Sequence, residues 1–184
     1  MRAKVECHEA GEVPSRVQLR RIHCRPSRRS RLDSVGAETD FGALFDEFDT
    51  LLMGRRTYEE VDLSAPQFEG KQIVVFSRTL RTQDCPGAKL VSANIEETIS
   101  ELRAGTGKDV WLFGGGELFR TLLDLGCVDT VEPALLPVLL GRGRPFLPSP
   151  AIHQRLMLTG HRIFRGSGIV LLTYDVLPTP TEKL

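Results

Sequence analysis

Short apolar runs alternate along the chain with segments in which apolar residues recur every three or four positions. The runs are typical of buried strands, and the three-to-four spacing is typical of helices with one apolar face. The runs cover residues 50–53, 71–76, 90–91, 110–113 and 130–140, and the helical segments cover 41–48, 95–102, 118–125 and a short stretch from 55. This alternation predicts an α/β fold with a mostly parallel sheet.

The C-terminal region has a different pattern. Residues 156–164 and 168–176 alternate or run apolar on either side of the segment Arg165-Gly166-Ser167-Gly168. Glycine and serine between two such runs are typical of a hairpin turn. We therefore expect the sheet to end in a C-terminal antiparallel hairpin.

Charge is distributed unevenly along the chain. The 184 residues, 41% of them hydrophobic, are enough for one domain with a substantial core. The net charge is zero, but residues 13–32 contain seven arginines and no acid. Such a segment suits nucleic-acid phosphates, yet it has no aromatic stacking residues and no recognisable reading helix. We therefore expect a disordered or poorly packed arm and disfavour nucleic acid as a partner.

The cysteines indicate neither a disulfide framework nor a zinc ribbon, because all four are widely spaced and none forms a Cys-x-x-Cys pair. The adjacent pairs Cys7-His8 and His23-Cys24 are poor sites for one ion, since neighbouring residues of an extended chain point to opposite sides. No apolar run reaches the roughly 18 residues of a membrane span, and no signal-peptide core is evident. We expect a cytoplasmic protein with reduced thiols, no metal and no membrane partner.

Three strand ends carry residues suited to phosphate. The triplet Gly114-Gly115-Gly116 stands between a strand and a helix, where backbone amides approach an anion closely and the helix dipole attracts it. The other two ends are Gly54-Arg55-Arg56 and Ser77-Arg78. The alternative interpretation is structural: the glycines form a tight turn for packing, and the arginines are solvated. Recurrence on three strand ends favours a phosphate-bearing ligand.

Four motifs follow one another in a set order: Leu-Leu-Met-Gly-Arg-Arg-Thr-Tyr-Glu at 51–59, Val-Phe-Ser-Arg at 75–78, Leu-Phe-Gly-Gly-Gly-Glu-Leu at 112–118, and Pro-Val-Leu-Leu-Gly at 137–141. As a set they resemble the dihydrofolate reductase-like family, most closely its branch with the C-terminal reductase domain of the bacterial riboflavin-biosynthesis deaminase-reductase. The resemblance implies a three-layer α/β/α fold, NADPH as cofactor and hydride transfer to a small heterocyclic substrate. It also implies a homodimer, which the apolar C-terminal hairpin favours.

The resemblance assigns roles to individual positions. The pyrophosphate would be held by Gly114, Gly115 and Gly116, with Glu117 and Leu118 in the next helical turn. The adenosine would be faced by Gly54, Arg55, Arg56 and Thr57, and the 2′-phosphate by Ser77 and Arg78. The residues nearest the nicotinamide and substrate would be Phe113, Pro137, Leu139 and Gly141. This is not a Rossmann fingerprint, because Phe119 stands where the third glycine belongs. No residue is indicated as the general acid.

The N-terminal region departs from the family. Members begin with an apolar strand and a Ser-Leu-Asp-Gly-Tyr-Ile-like segment that closes over nicotinamide and substrate, and residues 1–34 match neither. Two explanations are open: a divergent arm, or a frameshift that returns to frame near Val35. We predict a reductase domain over residues 35–178 and a tail over 179–184. The resemblance implies an NADPH-dependent reductase similar to 5-amino-6-(5-phosphoribosylamino)uracil reductase of riboflavin biosynthesis. The alternatives are a dihydrofolate reductase and a non-catalytic NADPH-binding protein with an open pocket.

Overall fold

An eight-stranded sheet forms the centre of the computed structural model, which describes residues 17–21, 45–139 and 145–178. The strands are β1 (Val17–Arg21), β2 (Phe48–Gly54), β3 (Gln72–Phe76), β4 (Lys89–Val91), β5 (Asp109–Gly114), β6 (Thr130–Leu135), β7 (Leu156–Phe164) and β8 (Ile169–Val176). They lie in the order β4-β3-β2-β5-β1-β6-β8-β7. The first six pair in parallel, whereas β8 is antiparallel to β6 and β7. The predicted α/β fold with a C-terminal antiparallel hairpin is confirmed.

Three helices follow strands of the parallel region: α1 (Arg55–Glu60) follows β2, α2 (Ile95–Ala104) follows β4, and α3 (Gly116–Asp124) follows β5. The apolar spacing of α3 buries Leu118, Phe119, Leu122 and Leu123. Its end is shaped by Gly126, whose φ of +65° lies in the left-handed region that favours glycine. Each helix therefore returns the chain across the sheet to start the next parallel strand.

The core lies on both faces of the sheet. On the first, which we call the α3 face, Leu52, Val74 and Leu112 pack with the buried residues of α3. The second, which we call the aromatic face, holds Phe45, Phe48, Phe68 and Trp111 with Met53 and Val75. Strand segments that are covered on both faces are mostly apolar, which is why the sequence shows several of them as continuous runs.

Two predicted boundaries were wrong. Phe48, expected in a helix over 41–48, begins β2 and is fully buried, while residues 41–44 of that predicted helix lie outside the described residues. The strand expected over 130–140 ends at Leu135. Pro137 has no amide proton for a sheet, and the amide of Val138 donates to the carbonyl of Leu136 at 2.8 Å in a tight turn.

The arginine-rich arm contributes a strand to the middle of the sheet. Val17–Arg21 forms β1 between β5 and β6, with Val17 in register with Val110 and Arg20 with Glu132. The expectation of a disordered or poorly packed arm is therefore wrong for these five residues. The arginines hid the strand, because a central parallel strand is normally read from a continuous apolar run. The remainder of residues 1–34 lies outside the described residues, and the domain limits at 34 and 178 stay predictions.

Candidate cofactor site

The three turns singled out in the sequence lie at one edge of the sheet. Gly54 ends β2, Gly114 ends β5, and Phe76 ends β3 immediately before Ser77. The register places Gly54 beside Phe76, and Met53 beside Gly114. Because β3, β2 and β5 are adjacent and parallel, their carboxyl ends present all three turns side by side, where open α/β sheets bind ligands.

Four glycines, Gly54, Gly114, Gly115 and Gly116, form what we call the glycine cradle. A β-carbon on Gly115 would lie 3.4 Å from both the nitrogen and the α-carbon of Gly54, so the two turns approach backbone to backbone. Gly115 also has a φ of +109°, a conformation that other residues rarely adopt. All four are partly exposed, so the surface that they offer to solvent is backbone with no side chain over it.

The cradle also has a packing role. A β-carbon on Gly114 would lie 2.9 Å from Cγ2 of Thr57 and 3.0 Å from its Oγ1. The structural interpretation of the triplet, a tight turn that lets helix and sheet pack, is therefore true of Gly114. This packing role is compatible with ligand binding, because the glycines pack on one side and their backbone remains partly exposed to solvent on the other.

Helix α3 starts inside the cradle. Gly115 precedes its first residue, and the carbonyl of Gly115 accepts a hydrogen bond from the amide of Phe119 at 2.9 Å. The first amides of a helix have no partner within it, and the dipole makes this end positive. Glu117 in the first turn points into solvent and pairs with Arg120 at 2.7 Å, whereas Leu118 is buried and anchors the turn. An anion at the cradle would meet backbone amides.

The arginines at the site differ in their freedom. Arg55 donates to both carboxylate oxygens of Glu59, at 3.1 and 3.2 Å, within α1. Arg56 and Arg78 are exposed and have no ion pair with any described residue. Charge-assisted hydrogen bonds to phosphate would therefore come more readily from Arg56 and Arg78.

The hydroxyl of Ser77 shapes the loop that carries Arg78. Its Oγ accepts hydrogen bonds from the amides of Thr79 at 3.2 Å and Leu80 at 3.1 Å, and it lies 3.3 Å from Oγ1 of Thr79. The amide of Ser77 donates to the carbonyl of Val91 in β4 at 3.0 Å. The loop is thus tied to the sheet on one side and folded by a local serine turn on the other. Such a loop fixes the backbone of Arg78 at the carboxyl-terminal edge of the sheet, where the three turns lie.

A family model described as the RibD C-terminal domain matches residues 20–171. The chain belongs to this family. It is a family of NADPH-dependent reductases, and its members typically use NAD(P)H. The match begins within β1, in agreement with the place of that strand in the sheet.

Relatives and solved structures agree with this assignment. YyaP, an uncharacterized protein of Bacillus subtilis (strain 168), is 32% identical over 149 residues, which are 74% of this chain and 77% of the relative. A Shewanella sp. PV-4 protein named for riboflavin biosynthesis has a TM-score of 0.63 at 21% identity, covering 84% of both chains. A pyrimidine reductase-like protein of Corynebacterium diphtheriae also scores 0.63, at 14% identity, covering 91% of this chain and 94% of its own. At these identities the two structures show the fold alone.

The residues predicted to lie nearest the nicotinamide and substrate, of which Phe113 was assigned to the cofactor, are not gathered at one place in this RibD-type domain. Phe113, partly exposed at the end of β5, belongs to the aromatic face, with its ring centroid 5.1 Å from that of Trp111. Pro137 lies against the C-terminal hairpin, where a β-carbon on Gly168 would be 3.2 Å from its Cγ, and Leu139 is fully exposed. Gly141 lies outside the described residues. Their roles at the substrate stay predictions.

Sequence reasoning missed two features of this part of the molecule. Thr57 supports Gly114 directly, a contact that only the fold brings about. Glu132 on β6 is a buried carboxylate, 6% exposed, and accepts a hydrogen bond from Oγ1 of Thr173 at 2.9 Å. A single glutamate in an apolar run gave no signal that it would be buried, because strand faces are assigned only when the neighbours are known.

The described residues fit a dinucleotide better than a metal. The glycine cradle offers backbone amides and the positive end of α3, and Arg56 and Arg78 follow the adjacent strands β2 and β3 at the same edge, which suits a pyrophosphate and a further phosphate. Within the described ranges no group of three His, Cys, Asp or Glu side chains is placed to hold a metal ion. The Cys7-His8 and His23-Cys24 pairs lie outside those ranges. No described helix is long and apolar enough to cross a membrane.

Proposed function

We propose that this protein is an NADPH-dependent reductase that transfers hydride to a small heterocyclic substrate, as 5-amino-6-(5-phosphoribosylamino)uracil reductase of riboflavin biosynthesis does. The observation that carries the proposal is the glycine cradle, which lies at the same sheet edge as Arg56 and Arg78, two exposed arginines with no ion pair to any described residue. Family membership supports the reaction class. A cytoplasmic location follows from the same proposal, since NADPH is a cytoplasmic reductant.

The residues present suggest how the chain holds its cofactor. The amides of Gly115, Gly116 and Glu117 would receive the pyrophosphate at the start of α3. Gly54 and Thr57 would lie toward the adenosine, and Arg78 with Arg56 would neutralise the 2′-phosphate. The bound cofactor supplies the hydride; the chain supplies binding, orientation and exclusion of water.

The direct test follows oxidation of NADPH by its absorbance, with a pyrimidine ribosylamine phosphate as one substrate and dihydrofolate as the other. Turnover of the pyrimidine alone supports the proposal, and turnover of dihydrofolate alone assigns the protein to dihydrofolate reduction. NADPH binding without turnover of either substrate would make it a non-catalytic binding protein. Absence of NADPH binding would refute the proposal, because the reaction requires NADPH as the hydride donor.

A further inference from the structure

The first turn of α3 carries a carboxylate beside the glycine cradle. Glu117 is the second residue of this helix, and its backbone amide is one of those assigned above to the pyrophosphate. With a rise of ~1.5 Å per residue, its α-carbon lies within ~3 Å of the helix start along the axis. Acids in a first turn are common because the helix dipole stabilises them. The same dipole attracts a pyrophosphate, so the side chain of Glu117 and the proposed ligand compete for one positive end.

The first-turn carboxylates of α2 and α3 have partners on opposite sides along the chain. In α2, Oε2 of Glu97 accepts a hydrogen bond at 3.1 Å from Nδ2 of Asn94, the residue before the helix. In α3, Oε2 of Glu117 pairs at 2.7 Å with Nη2 of Arg120, three residues further along the helix. The carboxylate of Glu97 thus turns back to the start of its helix, whereas that of Glu117 is drawn toward Arg120.

Arg120 is held in place by more than this pair. Its Nη1 donates to the carbonyl of Ser149 at 3.4 Å, and its side chain is 25% exposed, against 72% for that of Glu117. The segment that carries Ser149 packs on α3, where the ring centroids of Phe146 and Phe119 lie 5.4 Å apart. An exposed ion pair contributes little when two long side chains must be ordered to form it. Here the guanidinium is largely buried, so only the carboxylate has to be ordered.

We propose that Arg120 is a positioning residue for the cofactor and acts through Glu117. It holds the Glu117 carboxylate away from the glycine cradle, so that the first amides of α3 stay open to the pyrophosphate. Without Arg120, the carboxylate would turn back to the helix start, as that of Glu97 does in α2, and would repel the pyrophosphate. The inference rests on the proposed function, because it requires NADPH at the cradle.

A double-mutant cycle on Arg120 and Glu117 tests this role, with calorimetric titration of the full chain with NADPH as the measurement. Arg120→Ala should weaken NADPH binding about three- to tenfold, because an uncompensated charge then lies beside the pyrophosphate. Glu117→Gln, added to that variant, should restore the affinity to within about twofold of wild type. The effect of Glu117→Gln should be larger in the Arg120→Ala background than in the wild type, which is the signature of coupling between the two positions.

Lys89→Ala is the matched control. Lys89 pairs with Glu101 at 3.4 Å, so this variant also removes one cation and leaves one carboxylate behind. Lys89 lies on β4, three strands from β5 in the sheet, which corresponds to ~14 Å at a strand spacing of ~4.8 Å. That distance exceeds the Debye length of ~10 Å in 0.1 M salt, so NADPH affinity should be unchanged.

Three results would overturn the inference. They are equal NADPH affinity in Arg120→Ala and wild type, a loss in Arg120→Ala that Glu117→Gln does not reverse, and an equal loss in Lys89→Ala. Circular dichroism melting checks that each variant folds, and Arg120→Gln, which keeps a donor for the carbonyl of Ser149, replaces Arg120→Ala if that variant does not. Absence of NADPH binding in every protein would refute the proposed function and this inference together. NADPH binding without coupling between the two positions would refute the inference alone.

Discussion

Gly115→Ala tests the glycine cradle with the smallest possible change. The φ of Gly115, +109°, is outside the regions open to alanine, and such a conformation costs about 1–3 kcal/mol. The added methyl group would also sit 3.4 Å from the backbone of Gly54. Relaxing this strain means rotating the peptide that leads into α3, which turns amides away from the proposed pyrophosphate position.

The size of the effect follows from the hydrogen bonds at stake. One hydrogen bond to a charged group is worth about 1.5–3 kcal/mol, so loss of one such bond lowers NADPH affinity by about 10- to 150-fold. The control is Gly126→Ala at the far end of α3. Its φ is +65°, and nothing lies within 4 Å of the added β-carbon. That variant should lose about 1–2 kcal/mol of unfolding free energy with NADPH affinity unchanged.

Calorimetric titration with NADPH measures both affinities, and urea denaturation measures both stabilities. Equal NADPH affinity in folded Gly115→Ala and in wild type would refute the reasoning, because the cradle would then have no role in binding. A loss of affinity in Gly126→Ala as large as that in Gly115→Ala would refute it too, since general destabilisation would explain both.

Other predictions concern charge, pH and the N-terminal arm. Arg78→Ala should weaken NADPH binding about five- to tenfold and leave NADH binding unchanged. Arg55→Ala should have a smaller effect on NADPH binding, because the guanidinium of Arg55 is hydrogen-bonded to Glu59. Competitive titrations measure both affinities, and an equal effect of Arg78→Ala on NADPH and NADH would contradict the role of Arg78 at the 2′-phosphate. Burial raises the pKa of the thiols of Cys85 and Cys127. Above about pH 8.5 the unfolded chain therefore releases thiol protons that the folded protein keeps. The free energy of unfolding should fall as the pH rises past that value. Urea denaturation at several pH values should show that the unfolding free energy of the Cys85→Ala/Cys127→Ala double variant falls less steeply with pH than that of the wild type. Identical pH profiles of the two proteins would contradict the contribution of the thiols. Replacing residues 1–34 by a family-like first strand and closing segment should raise turnover with little change in NADPH affinity; full turnover in the unmodified protein would show that its own arm closes the pocket.

Much of the fold was accessible from local pattern. Residues 73–76 and 110–112 are buried on both faces of the sheet and are all apolar, so these runs are visible without knowing any neighbour. The same reasoning failed at β1, where Arg20 and Arg21 occupy a central strand. It also failed at Phe48, because an aromatic residue fits the apolar face of a helix and the interior of a sheet equally well.

The candidate site was predictable in its types of residue and less so in its geometry. Glycines and arginines at three strand ends identified the turns in the sequence. That these turns lie side by side follows from the strand order, which depends on long-range pairing and is not visible in the sequence. The pairing of Arg55 with Glu59 and the contact of Thr57 with Gly114 depend on side-chain positions that spacing alone does not distinguish from solvated ones. The positions of Pro137, Leu139 and Gly141 were the hardest to predict, because they follow the end of β6 at Leu135 and no strand register fixes them.

The most direct test of the central claim is calorimetric titration of the full chain with NADPH and, separately, with NADH. The claim is that the glycine cradle, together with Arg56 and Arg78 at the same sheet edge, holds a dinucleotide that carries a 2′-phosphate. It predicts one NADPH bound per chain, at least about tenfold more tightly than NADH. Absence of NADPH binding at about 1 mM, or equal affinity for the two nucleotides, would contradict it.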